Sequence, residues 1–132
     1  MLQYMLDTNI CIYVLKNRPA KLRERFNHLS EQLCISTITL AELLYEVEKS
    51  SRPDDNRHAV EQLAGRLDVL PFSAAAAVQY GQVRAELERA GRPIGAYDML
   101  IGAHARSAGL IVVTNNRREF ERIPGLRTEN WV

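Results

Sequence analysis

The run Leu110-Ile111-Val112-Val113-Thr114-Asn115 constrains this chain more than any other stretch. It is apolar and β-branched almost to its end, the pattern of a strand covered on both faces, and such strands occur in parallel sheets. Parallel neighbours need crossover helices between them. The rest of the sequence provides both. Leu2 to Leu6 and Leu33 to Thr37 read as further short strands, with Asp68 to Phe72 a weaker one. Between them lie helical patterns. Leu40, Leu43, Leu44 and Val47 follow i, i+3, i+4, i+7 spacing, with Thr37 or Thr39 as the cap. Ser73 caps a helix that runs to Gly91; residues 54–67 form another, and Tyr97 opens the last long one, which Gly109 ends. Strands alternating with helices give an α/β fold with a parallel sheet. Without a repeat, linker or low-complexity tract, residues 1–132 are expected to be a single domain.

Net charge is +1, from 17 Lys and Arg against 16 Asp and Glu, so any nucleic-acid contact must come from a local patch. Lys16 to Arg25 holds five basic residues and one acid, and Arg117 and Arg118 are adjacent. Each reads either as a solvated face or as a phosphate contact. Cys11 and Cys34 lie in apolar runs and are expected to be buried, reduced thiols. No apolar stretch approaches the roughly 20 residues of a membrane helix and no signal peptide is evident, so the expected location is cytoplasmic.

Ligands of parallel α/β sheets bind beyond the carboxyl ends of the strands. Three carboxylates fall there: Asp7 directly after the first strand, Glu42 in the helix after the second, and Asp98 at the start of the helix leading into 110–115. Each alone could simply complement a helix N-terminus, which is worth roughly 0.3–1 kcal/mol. Together they suggest a hard cation, because Mg²⁺ and Mn²⁺ prefer carboxylate and water oxygens. Such a site activates water for in-line attack on a phosphoester, the chemistry of a nuclease or a phosphatase. Asp7-Thr8-Asn9 lacks the second acid of an aspartate-nucleophile phosphatase, and no glycine-rich phosphate loop is present. His28, His58 and His104 are scattered, which argues against zinc or His-based catalysis. Thr114-Asn115-Asn116, with Glu119 soon after, reads either as a turn or as polar lining beside the acids.

Four segments taken in order, MLDTNICIY, STITLAEL, GRPIGAYDMLIGAHA and LIVVTNNRREFERIPGLRTENW, resemble the PIN-domain ribonucleases and, within them, the VapC toxins of bacterial toxin–antitoxin pairs. That resemblance implies a three-layer α/β/α sandwich with a parallel sheet of four to five strands. It also implies Mg²⁺- or Mn²⁺-dependent endonucleolytic cleavage of RNA. Asp7, Glu42 and Asp98 match the family's metal-holding acids, and Asn9 and Thr114 match residues lining its pocket. Many relatives have Asp where this chain has Asn116; Glu119 stands in for it in similar sequences. Further implications are a structured RNA substrate such as a tRNA anticodon stem-loop, a VapB-type antitoxin covering the site, and a homodimer. The faces Ile12-Val14-Leu15 and Leu40-Leu44-Val47 are the candidates for its apolar surface. The alternatives are a catalytically idle PIN-like module and a metal-dependent phosphatase acting on small esters.

Overall fold

The structure, a computed structural model, describes all residues 1–132. Its elements are β1 (Tyr4–Leu6), α1 (Thr8–Leu15), α2 (Ala20–Leu29), β2 (Leu33–Ser36), α3 (Thr37–Lys49) and α4 (Pro53–Ala64), then β3 (Asp68–Leu70), α5 (Ala74–Arg89), α6 (Ala96–Ala108), β4 (Ile111–Val113), α7 (Arg117–Phe120) and β5 (Thr128–Glu129). The five strands form one sheet in the order β3-β2-β1-β4-β5, and every pairing is parallel. Met5 lies opposite Cys34 on one side and Val112 on the other.

Successive strand residues face opposite sides, so each continuous apolar run serves two cores. Leu6, Leu33, Ile35 and Val113 pack with Ile10, Phe26, Leu43 and Val60 beneath α1 to α4, and Trp131 closes that layer. Met5, Cys34 and Val112 pack on the other face with Val83, Leu87, Ile101 and Phe120. The result is the expected three-layer sandwich, with five strands. Cys11 and Cys34 are buried and unpaired, one in each core. Burial pushes the Cys34 thiol up to about 12 and raises Cys11 as well, so neither is a nucleophile.

The helix boundaries follow from capping. Asp7, Ser36 and Ser73 each accept an amide hydrogen of the first turn of α1, α3 and α5. For α3 this corrects the expected cap: Thr37 Oγ1 instead accepts from the Phe72 amide, and Thr39 is buried. α4 stops at Ala64, short of Leu67, and Gly109 ends α6 at φ 68°, a left-handed conformation that suits glycine. In α2, Leu22 and Phe26 are buried while Lys21, Arg23 and Arg25 face solvent, as on an ordinary amphipathic helix. Of the two apolar faces, Ile12, Val14, Leu15 and Leu40 pack on the core and Val47 is buried, which leaves Leu44 exposed. No helix is long and apolar enough to cross a membrane.

β1 occupies the centre of the sheet, and the chain runs outwards from it in one direction through β2 and β3 and in the other through β4 and β5. The carboxyl ends of β1 and β4 therefore border the point where strand order reverses, where open α/β sheets bind ligands. Asp7 follows the first of these strands and Thr114 the second.

Candidate active site

Asp7 both caps and points inwards. Its Oδ1 accepts from the Ile10 amide at 2.9 Å, and the buried Thr114 hydroxyl hydrogen-bonds the same carboxylate. With only 3% of its surface exposed, Asp7 is nonetheless held above the usual carboxylate range by burial, which outweighs both hydrogen bonds, and Glu42 adds repulsion. Thr114 Oγ1 also accepts from the Asn116 amide at 2.8 Å, fixing the turn after β4.

Glu42 lies on α3, and the Thr8 hydroxyl donates to its Oε1 at 2.5 Å, joining the start of α1 to α3. Asp98 stands in the first turn of α6, half-buried. Its carboxyl is pushed up to about 7, first by burial and then by Glu119, Asp7 and Glu42. Four carboxylates thus share one electrostatic environment. None of the protein's ion pairs involves any of them.

Asp7, Asn9, Glu42 and Asp98 line one cleft of about 350 Å³ with Thr8, Ile12, Ala41, Tyr45, Glu46 and Tyr97. Thr114 and Glu119 do not line it, though Thr114 bonds to Asp7 and Glu119 repels Asp98. Glu119 is engaged elsewhere: one oxygen accepts from the Gly95 amide and the other from Asn116 Nδ2 at 2.9 Å. Asn116 begins α7, but its side chain makes no cap and reaches Glu119 instead. His104 is a packing residue, with Nδ1 2.8 Å from Ser36 Oγ and its ring edge-on to Phe72.

An all-oxygen donor set in which Asp7, Glu42 and Asp98 pair with no cation suits a hard divalent ion. No three of the His, Cys, Asp and Glu side chains close into a ready-made metal cage. Sequence reasoning missed Thr8, Glu46 and the two tyrosines. Glu46 carried a signal, since it lies four residues after Glu42 and so shares its helical face.

The PIN domain family matches residues 4–126. The chain belongs to this family. PIN-domain ribonucleases are in general dependent on divalent metals, in keeping with the acid-lined cleft. This PIN domain is 58% identical over 131 residues to the tRNA(fMet)-specific endonuclease VapC of Shigella flexneri, covering 99% of each chain. It is 52% identical over 132 residues to Ribonuclease VapC2 of Haemophilus influenzae strain Rd, covering 100% of both. It superimposes with a TM-score of 0.97, at 55% identity and over 100% of both chains, on a chain in the crystal structure of DNA-bound VapBC from Salmonella typhimurium.

Proposed function

We propose that residues 1–132 form one PIN domain acting in the cytoplasm as the toxin of a VapBC-type pair, an endoribonuclease that cuts tRNA and so stops translation. The observation that carries this reading is that Asp7, Glu42 and Asp98, brought from three separate segments, line one cleft while none of them forms an ion pair. Carboxylates forced together without a counter-charge need one to work at neutral pH. Mg²⁺ or Mn²⁺ would be held by Asp7 and Asp98, with Glu42 engaged directly or through water. When bound, the ion offsets the negative charge of the approaching phosphate and makes water more acidic.

The chain's own residues do the rest. Ile10 and Thr114 orient Asp7, and Thr8 orients Glu42 through Oε1, leaving Oε2 free to take a proton from the attacking water. Water attacks phosphorus in line, the P–O3′ bond breaks and the departing 3′-oxygen takes a proton from solvent, giving a 5′-phosphate and a 3′-hydroxyl without use of the 2′-hydroxyl. Asn9, exposed at the cleft mouth, is placed to bond the ribose-phosphate backbone. A VapB-type antitoxin covers this cleft. The apolar groove between α3 and α4, lined by Leu40, Leu44, Val60 and Ala64 and about 690 Å³ in volume, supports binding of a protein partner or of a second copy in a homodimer.

Antitoxin-free protein is incubated with total tRNA in Mg²⁺, in Mn²⁺ and in EDTA, beside Asp7→Ala. Discrete fragments with 5′-phosphate ends that require both metal and Asp7 are expected. Fragments ending in a 2′,3′-cyclic phosphate, or cleavage persisting in EDTA, would overturn the proposal.

A further inference from the structure

The chain has five tyrosines, and the fold uses three of them. Tyr4 packs edge-on against Trp131 at 5.0 Å, the Tyr13 hydroxyl accepts from Asn115 Nδ2, and the Tyr80 hydroxyl accepts from Arg84. The other two, Tyr45 and Tyr97, are 63% and 57% exposed, and their hydroxyls bond to nothing within the protein. Both line the acid cleft. Tyr45 lies on α3 one turn beyond Glu42, and Tyr97 immediately precedes Asp98 on α6.

The same cleft contains no Lys or Arg among its lining residues. The ion serves the phosphate being cut, and Lys49 at the rim is paired with Glu46, so neighbouring phosphates gain little attraction there. Base stacking is the main attraction that does not depend on charge, and every nucleobase offers a face for it. We infer that Tyr45 and Tyr97 receive unpaired nucleobases flanking the phosphate presented to Asp7, Glu42 and Asp98. Lys49 Nζ lies 4.9 Å from the centre of the Tyr45 ring, so it covers one face and leaves the other for a base. The site thereby selects a loop, whose bases are splayed out, over a duplex, whose bases are already stacked.

This inference rests on the ribonuclease reading above. The test uses a tRNA cut by the wild-type protein, carrying 2-aminopurine beside the cleavage position. Wild type, Tyr45→Ala, Tyr97→Ala and the two Phe variants are compared in Mg²⁺ by stopped-flow fluorescence and by steady-state cleavage. Stacking quenches 2-aminopurine, a signal that a merely structural role would not move. Each Ala variant is expected to lose the quench and to show about a 5- to 100-fold lower kcat/KM, mostly through KM, with Phe restoring both. Unfolding midpoints should stay within a degree or two of wild type, because both rings are solvated. If wild type cuts tRNA but the Ala variants keep their KM and quench, the stacking role is wrong and the nuclease stands. Loss of antitoxin binding or dimerisation with unchanged cleavage would assign the tyrosines to a protein interface, since Tyr45 also borders the α3–α4 groove. A wild-type protein that cuts no tRNA removes the nuclease reading and this inference with it.

Discussion

The Glu119 carboxylate caps the amide of Gly95, 24 residues earlier in the chain. Gly95, the N-cap of α6, brings no side-chain cap of its own, so Glu119 supplies an acceptor at the helix start three residues before Asp98. A Cβ at position 95 would lie 3.2 Å from Glu119 Oε1, which explains why glycine suits that turn.

Glu119 should therefore act by positioning Asp98. Glu119→Ala is expected to reduce cleavage about 10- to 100-fold through misplacement of Asp98. It should also destabilise the fold by about 1 kcal/mol, as loss of a cap does. Glu119→Gln, which keeps an oxygen for Gly95, should retain most of both. Equal losses in the two variants at saturating Mg²⁺, measured as kcat/KM, would make Glu119 a metal ligand instead.

Removing the Asp7 charge should trade activity for stability. Burial raises the folded-state pKa of Asp7 above its unfolded value of about 3.9, so the metal-free native state binds more protons and loses stability as pH rises through that window. Asp7→Asn keeps an acceptor for Ile10 and removes the buried charge. In EDTA it should melt higher than wild type at pH 8, with the gap closing towards pH 4, and it should cut no RNA. Added Mn²⁺ should raise the melting temperature of wild type and leave that of the variant nearly unchanged. A variant that melts lower than wild type at pH 8 would show that the carboxylate is compensated within the protein.

His104 carries the opposite sign. Burial lowers its pKa below 6.5, so the unfolded chain binds the extra proton first and stability falls as pH drops below about 6.5. Its Nδ1 meets Ser36 Oγ at the cap of α3, so protonation also disturbs the helix that carries Glu42. His104→Gln should flatten the fall in melting temperature between pH 7 and pH 5. An unchanged acid limb would mean that another group governs it.

Two helical glycines should respond oppositely to a side chain. At Gly102 a Cβ would collide with the buried Ile123 Cδ1 and press on Leu126 and Phe120, so Gly102→Val should destabilise by about 1–3 kcal/mol. At Gly81, in α5, a Cβ meets nothing within 4 Å, and Gly81→Ala should stabilise by about 0.5–1 kcal/mol. Urea denaturation of both variants checks the pair.

The strands were legible because burial on two faces leaves an uninterrupted apolar signature, as at Leu33 to Ile35 and at Val112 and Val113. β5 has no such signature: Thr128 and Glu129 are half-exposed, and only backbone pairing with β4 and the residue after it, such as the bond from the Thr114 amide to the Glu129 carbonyl, makes them a strand. Asp7 and Asp98 were legible because one follows a strand and the other opens a helix, whereas Glu42, in the second turn of α3, stood out as an acid within an apolar run. The use made of Glu119 was not, since its partner Gly95 is close only in space. Tyr45 fell within the apolar spacing of α3, where period alone cannot distinguish a ring on the core from a ring beside a cleft.

Asp7 follows the central strand, which is hydrogen-bonded on both sides and covered by helices above and below. Hydrogen exchange at Met5 and Leu6 should thus occur only when the whole molecule opens. A regulator that loosened this part of the enzyme would destroy it, so an inhibitor would have to act by occlusion. An inhibitor lost to proteolysis would leave behind a catalyst already assembled, and the delay before activity would be set by how fast the inhibitor is degraded.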